Sequence, residues 1–170
     1  MNDSWITEFK NDAIFRLRES NRMNLKSLEH ISEKELWLRP NSKANSIANL
    51  LLHLCGNIRQ YAISSLGGTK DIRERDSEFS TTEGFEKTEL ITQLFDTVEE
   101  AIETIENASE EQLLRKRNAQ GFNLSGIGIV MHVVEHYSYH TGQIAFWVKQ
   151  LKEIDLGFYD SSQLNIQNED

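Results

Sequence analysis

Four stretches of the chain carry apolar residues at helical spacing, separated by polar or glycine-containing breaks. The first runs from about Asp3 to Leu28. Asn2, Asp3 and Ser4 are available as N-caps, and Trp5, Phe9, Ile14, Leu17, Leu25 and Leu28 form the stripe. Ser32-Glu-Lys-Glu35 reads as a capping box opening a short turn through Trp37, before Arg39-Pro40-Asn-Ser-Lys breaks the pattern. Ser46 caps a second long stretch, Ile47 to Leu66, which Gly67-Gly68 closes. A third fits Thr88 to about Asn107, burying Leu90, Ile91, Leu94, Phe95, Val98, Ile102 and Ile105. A second capping box, Ser109-Glu-Glu-Gln112, precedes a polar loop through Gly121, and the fourth stretch runs from Ser125 to about Ile154.

These stretches predict an all-α chain built as a four-helix bundle. A weak internal repeat supports the layout: Ile31-Ser-Glu-Lys-Glu-Leu36 resembles Ala108-Ser-Glu-Glu-Gln-Leu113, and Ser46 precedes His53 by the same interval that separates Ser125 from His132. One helical domain over residues 1–157 is expected, followed by a polar, aperiodic tail over 158–170 that is either mobile or a late docking segment. The charged segment from Thr69 to about Glu86 is long for a bundle connection, so it is a crossover or a functional loop. Its Arg73–Glu78 cluster is a candidate to cover a functional site or to recognise an anionic substrate, but reads best as a solvated, salt-bridged loop.

Composition narrows the function. A net charge of −9 with no basic run argues against nucleic acid as a partner. No apolar run reaches the ~20 residues of a membrane span, and the first residues lack the pattern of a signal peptide. A single cysteine, Cys55, fits a cytoplasmic protein without a disulfide framework. None of the nine glycines forms a phosphate cradle.

The chemistry is concentrated in histidines. His132, His136 and His140 stand four residues apart in the fourth stretch, and His53 stands in the second, both in apolar surroundings. Residues four apart on a helix share a face, so two such imidazoles can grip one transition metal, with His53 joining from a neighbouring helix. His132 and His140 lie about 12 Å apart along the axis, so one of the three cannot be a ligand. An alternative is that these are core histidines satisfied by hydrogen bonds. A different pattern is also present: His132-Val-Val-Glu135-His136 matches the H-x-x-E-H zinc-peptidase signature, with Glu135 as general base. Asn57, four residues after His53, could orient a bound water or substrate. Gln143 could orient a ligand, while Tyr61 suits core packing and Cys55 a small core role. Gly56 and Gly142, costly inside helices, point to close helix approach. His30 fits the end of the first helix.

His53 within Ser46-Ile-Ala-Asn-Leu-Leu-Leu-His-Leu, followed much later by His136-Tyr-Ser-Tyr-His140-Thr-Gly142-Gln143-Ile, resembles the DinB-like superfamily over nearly the whole chain. That group includes damage-inducible DinB proteins, bacillithiol transferases and metal-dependent hydrolases, and the Gly67–Phe79 stretch resembles an uncharacterised bacterial subfamily. The resemblance implies a bundle with up-down-down-up connections. It also implies a divalent transition metal, zinc or nickel, held by His53, His136 and His140 with water in the remaining position. Asn57 and His132 then become catalytic candidates beside the metal. Many relatives carry arginine where this chain has Thr141, a departure that touches substrate recognition.

Two classes of function follow. One is a metal-dependent enzyme, a thiol-dependent S-transferase or a hydrolase, acting on a small molecule with or without a low-molecular-weight thiol. The other is a non-enzymatic, stress-associated helical homodimer with a structural or vestigial metal. The H-x-x-E-H peptidase ranks below both.

Overall fold

The computed structural model describes residues 4–162 and 164–168. Helix α1 (Ser4–Glu29) turns into α2 (Glu33–Leu36), and α3 (Ile47–Ile58) follows the Pro40 break. The same helix continues, as a wider π-helical stretch, over Arg59–Leu66. A short α4 (Arg75–Ser80) sits inside the long connection, before α5 (Lys87–Asn107) and α6 (Glu110–Leu114). A hairpin of β1 (Lys116–Ala119) and β2 (Phe122–Ser125) leads directly into α7 (Gly126–Lys152). Helix α1 packs on α5 and α7, and α3 packs on the same two helices, so the four long helices form the expected bundle. No helix among the described residues is long and apolar enough to cross a membrane.

The helix boundaries follow from local hydrogen-bond chemistry. Ser32 and Glu35 exchange the reciprocal bonds of a capping box, and so do Ser109 and Gln112. Ser46 forms a third box with Asn49. Ser125 caps α7 by accepting from the Gly128 N–H. The π-helical stretch ends where the Gly67 N–H reaches back to Ala62 O at 3.0 Å, and Gly68 leaves it with φ +86°. Helix α7 stops at Lys152, short of Ile154, because Glu153 adopts a left-handed conformation.

Several expectations are corrected. The polar loop before α7 is a β-hairpin, with Lys116 opposite Ser125 and Ala119 opposite Phe122. Its turn residues Gln120 and Gly121 both have positive φ, the geometry that joins two strands tightly. In α1, Trp5 and Leu25 are exposed; Ile6, Ala13, Ile14, Leu17 and Leu28 form the buried stripe. The caps anticipated at Asn2 and Asp3 lie outside the described residues. Apart from these corrections, the chain just after α7 docks on α1: Arg22 donates to Phe158 O at 3.0 Å and Lys26 to Gly157 O at 2.6 Å, while Leu156 is buried.

Candidate metal centre

His53 lies midway along α3, the best-buried helix of the bundle, and its ring meets α7 across the shared seam. His136 and His140 are one turn apart on α7, with ring centroids 4.5 Å from each other. Each is 5.0 Å from the His53 ring. The side chains of His53, His136 and His140 offer nitrogens that all lie within 4.8 Å of one another. His53 Nε2 and His136 Nε2 are 3.2 Å apart. Two imidazoles bound tetrahedrally to one ion, at about 2.0–2.1 Å each, would be spaced at roughly 3.3 Å.

The far side of each ring shows which nitrogen carries the proton. His53 Nδ1 lies 2.9 Å from Glu78 Oε2, and His140 Nδ1 lies 2.7 Å from Gln143 Oε1. Both partners are acceptors, so both Nδ1 atoms donate, which leaves Nε2 as the nitrogen each ring can offer to an ion. Arg73 Nη2 also lies 3.2 Å from His53 Nδ1, but it is closer to Glu78 Oε2, at 2.9 Å, and donates there. His136 Nδ1 is buried with no hydrogen-bond partner. Burial pushes the His136 imidazole down to about 3, helped by repulsion from His140, His53 and His132. Burial likewise holds His140 down at about 4, partly opposed by its bond to Gln143. The protein therefore supplies neutral imidazoles at neutral pH, the form that binds metal.

His132 stands one turn before His136 and outside this group of three. It stacks on Tyr61, centroid to centroid 4.0 Å, and its Nε2 lies 3.4 Å from Asn57 Nδ2. Burial lowers its pKa, against the pull of Glu135. Asn57 is buried, and its Oδ1 has no partner. Tyr61 is indeed a core residue, but its hydroxyl also donates to Gln120 Oε1 at 3.0 Å, tying the hairpin to this edge of the site. Glu135 is exposed and lines, with Tyr61, Phe122, Leu124 and His132, a cavity of about 340 Å³.

For Arg73 and Glu78 sequence reasoning preferred a solvated loop over a cover of the site. Neither belongs to a solvated loop: the side chains of Arg73 and Glu78 are 4% and 8% exposed, and they pair through two bonds of 2.7 and 2.9 Å. Burial pushes the Glu78 carboxyl up, but hydrogen bonds from Arg73 and His53 outweigh it and the net shift is down. The one local signal was Gly56, where any Cβ would overlap the Glu78 carboxylate. Gly142 has open space around its Cβ position, so close helix approach does not account for it. Thr141 is a buried group between α1 and α7, accepting from Asn24 Nδ2 at 3.0 Å; it belongs to the core rather than to a substrate pocket. Burial pushes the Cys55 thiol up to about 12, in keeping with a small core residue.

The family described as protein of unknown function (DUF1572) matches residues 4–160. Among solved structures, a DinB-like protein of Bacillus subtilis, YjoA, superposes with a TM-score of 0.65 at 20% identity, covering 85% of this chain and 94% of that one. A conserved protein of Enterococcus faecalis gives a TM-score of 0.71 at 15% identity, covering 85% and 97%. At these identities the likeness is one of fold, and the fold is DinB-like. No curated protein matches the chain.

Proposed function

The chain belongs to the DUF1572 family, and within its DinB-like bundle we propose a divalent transition-metal site of His53, His136 and His140 that serves a metal-dependent enzyme. The observation that carries this reading is the pair of Nδ1 atoms beside acceptors, which leaves Nε2 as the nitrogen that His53 and His140 have free for a cluster whose candidate ligand atoms lie within 4.8 Å of one another. Such a cluster suits a cation better than a core hydrogen-bond network, which would also satisfy His136 Nδ1. An all-imidazole set suits zinc or nickel, and three protein ligands leave a position for an exogenous group. A divalent ion held there would supply Lewis acidity, lowering the pKa of a water or thiol that it binds.

Asn57 and His132, which meet across the α3–α7 seam beside His136, would border that position. Asn57 Oδ1, buried and without a partner, orients a proton-bearing group of the bound molecule. His132, held neutral by burial, accepts a proton at Nε2. In the transferase version the proton comes from a low-molecular-weight thiol, whose sulfur would bond an electrophilic carbon of the small molecule. The bond from that carbon to its leaving group breaks as this happens, and the leaving group departs with the electron pair. In the hydrolase version the proton comes from water, whose oxygen would bond the scissile carbon as the leaving group departs in the same way. The H-x-x-E-H arrangement has less support, because His132 stands outside the group of three and Glu135 faces solvent.

The test is metal content per chain in the wild type and in His53→Ala, His132→Ala and His140→Ala. Loss in the first and third variants with retention in His132→Ala is expected. Loss in His132→Ala with retention in His140→Ala moves the site to the peptidase pair, and no metal in replete wild type overturns both. Thiol-transfer and hydrolase assays on the metal-loaded protein then separate enzyme from structural site.

A further inference from the structure

The connection between α3 and α5 buries a carboxylate and a guanidinium, which is costly unless every charge is met. Arg73 meets Glu78 through a two-bond fork and sends a further bond to Gln60 Oε1 at 2.8 Å. Oε2 of Glu78 is left facing His53 Nδ1 at 2.9 Å. The backbone around Glu78 is clamped separately. Asn49 Nδ2 donates to Glu78 O at 3.0 Å and Thr81 O at 2.8 Å, while Arg39 donates to Phe79 O at 2.7 Å. The Phe79 ring packs on the His53 ring with centroids 4.8 Å apart. On α3, Gly56 leaves the space that the carboxylate fills. An arginine fork, an asparagine clamp and a missing side chain thus converge on one contact, a carboxylate against one imidazole nitrogen.

A pair that merely fastened the connection would not need this placement, since the clamp by Asn49 and Arg39 fastens it without touching His53. We propose that Glu78 is the positioning residue of the metal centre: its carboxylate fixes the His53 tautomer and ring orientation and strengthens Nε2 as a donor. This rests on His53 being a metal ligand. A carboxylate behind a ligating histidine stiffens the ligand and raises its basicity, and its loss typically costs 10- to 100-fold in metal affinity. It follows that the segment from Gly67 to Glu86 is part of the centre, and that an ion and the seated segment favour each other reciprocally.

The experiment is zinc affinity, by competition with a chromogenic chelator, and the visible spectrum of the cobalt(II) form. Both are read on wild type, Glu78→Gln, Gly56→Ala and Arg39→Met, with melting of each metal-free protein as the check on folding. Glu78→Gln is expected to weaken zinc on the order of 10- to 100-fold and to alter the cobalt bands. Gly56→Ala, which displaces the carboxylate without changing its chemistry, is expected to do the same and carries the test if Glu78→Gln does not fold. Arg39→Met, which loosens the clamp alone, is expected to keep zinc affinity near that of wild type. Wild-type affinity and spectrum in the Glu78 and Gly56 variants overturn the role of Glu78 while leaving the metal site standing. Equal weakening in Arg39→Met overturns it too, because the effect is then one of loop seating. A wild type that takes up no zinc overturns the site itself, and this inference with it.

Discussion

Two imidazoles from different helices face each other Nε2 to Nε2 at 3.2 Å, His53 from α3 and His136 from α7, and the opposite nitrogen of His136 is buried with no partner. That arrangement is poor for the metal-free protein. A buried polar atom without a bond costs about 1–3 kcal/mol. His136→Leu is therefore expected to raise the melting temperature of the metal-free protein, at about 2–4 °C per kcal/mol for a chain of this size, while abolishing metal uptake. Calorimetry of the chelator-treated proteins checks it, and a lower melting temperature for the variant contradicts it.

Acid should unfold the metal-free protein early. His136 and His140 titrate near 3 and 4 in the fold, against an ordinary 6.5. Below pH 6.5 the unfolded chain binds protons at these positions and the folded one does not, so stability falls as pH drops from 6.5 toward 4. Lowered pKa values at His132 and Glu78 act in the same direction, the latter further toward acid. Urea midpoints at pH 7 and pH 5 test this; equal midpoints contradict it. Added zinc should stabilise most at pH 7 and progressively less on acidification, because protons compete for the same nitrogens.

Cys55 should be inert to alkylation. The thiolate is the reactive form, and burial holds the thiol up at about 12. At pH 8 the native protein is expected to resist iodoacetamide over hours, and the urea-unfolded protein to react within minutes, read by mass. Rapid labelling of the native form would place the sulfur in contact with solvent.

Gly142→Ala should stabilise. The position is exposed, in the middle of α7, with nothing near the Cβ site, and helical glycine costs about 1 kcal/mol relative to alanine. A melting temperature raised by a few degrees is expected, with metal content unchanged. A lowered one would mean that something covers this face of α7 in solution.

The four helices and their caps were legible because their signals are local. Ser32 with Glu35, and Ser109 with Gln112, are capping boxes whose partners sit three residues apart. The histidine seam was legible for the same reason: imidazoles in apolar runs, with His136 and His140 one helical turn apart. The hairpin was not, because Lys116-Arg-Asn-Ala119 has no apolar alternation, and of its turn only Gly121 announces a positive φ. Glu78 was hidden for a different reason. Arg73 and Glu78 look like any charged pair in a turn-rich segment, and only the distant His53 and the notch at Gly56 make their burial sensible. The core role of Thr141 was hidden in the same way, since its partner Asn24 lies on α1, far away in sequence.

The interval of 83 residues between His53 and His136 also bears on when the site comes into being. Helix α3 is synthesised long before α7, so over those 83 residues the growing chain holds a single imidazole of the three and no partner helix to complete the cluster. An ion held by these three histidines would therefore be taken up only once α7 has folded back on α3. A nascent or truncated product ending before α7 would lack two of the three nitrogens and would not compete for scarce metal.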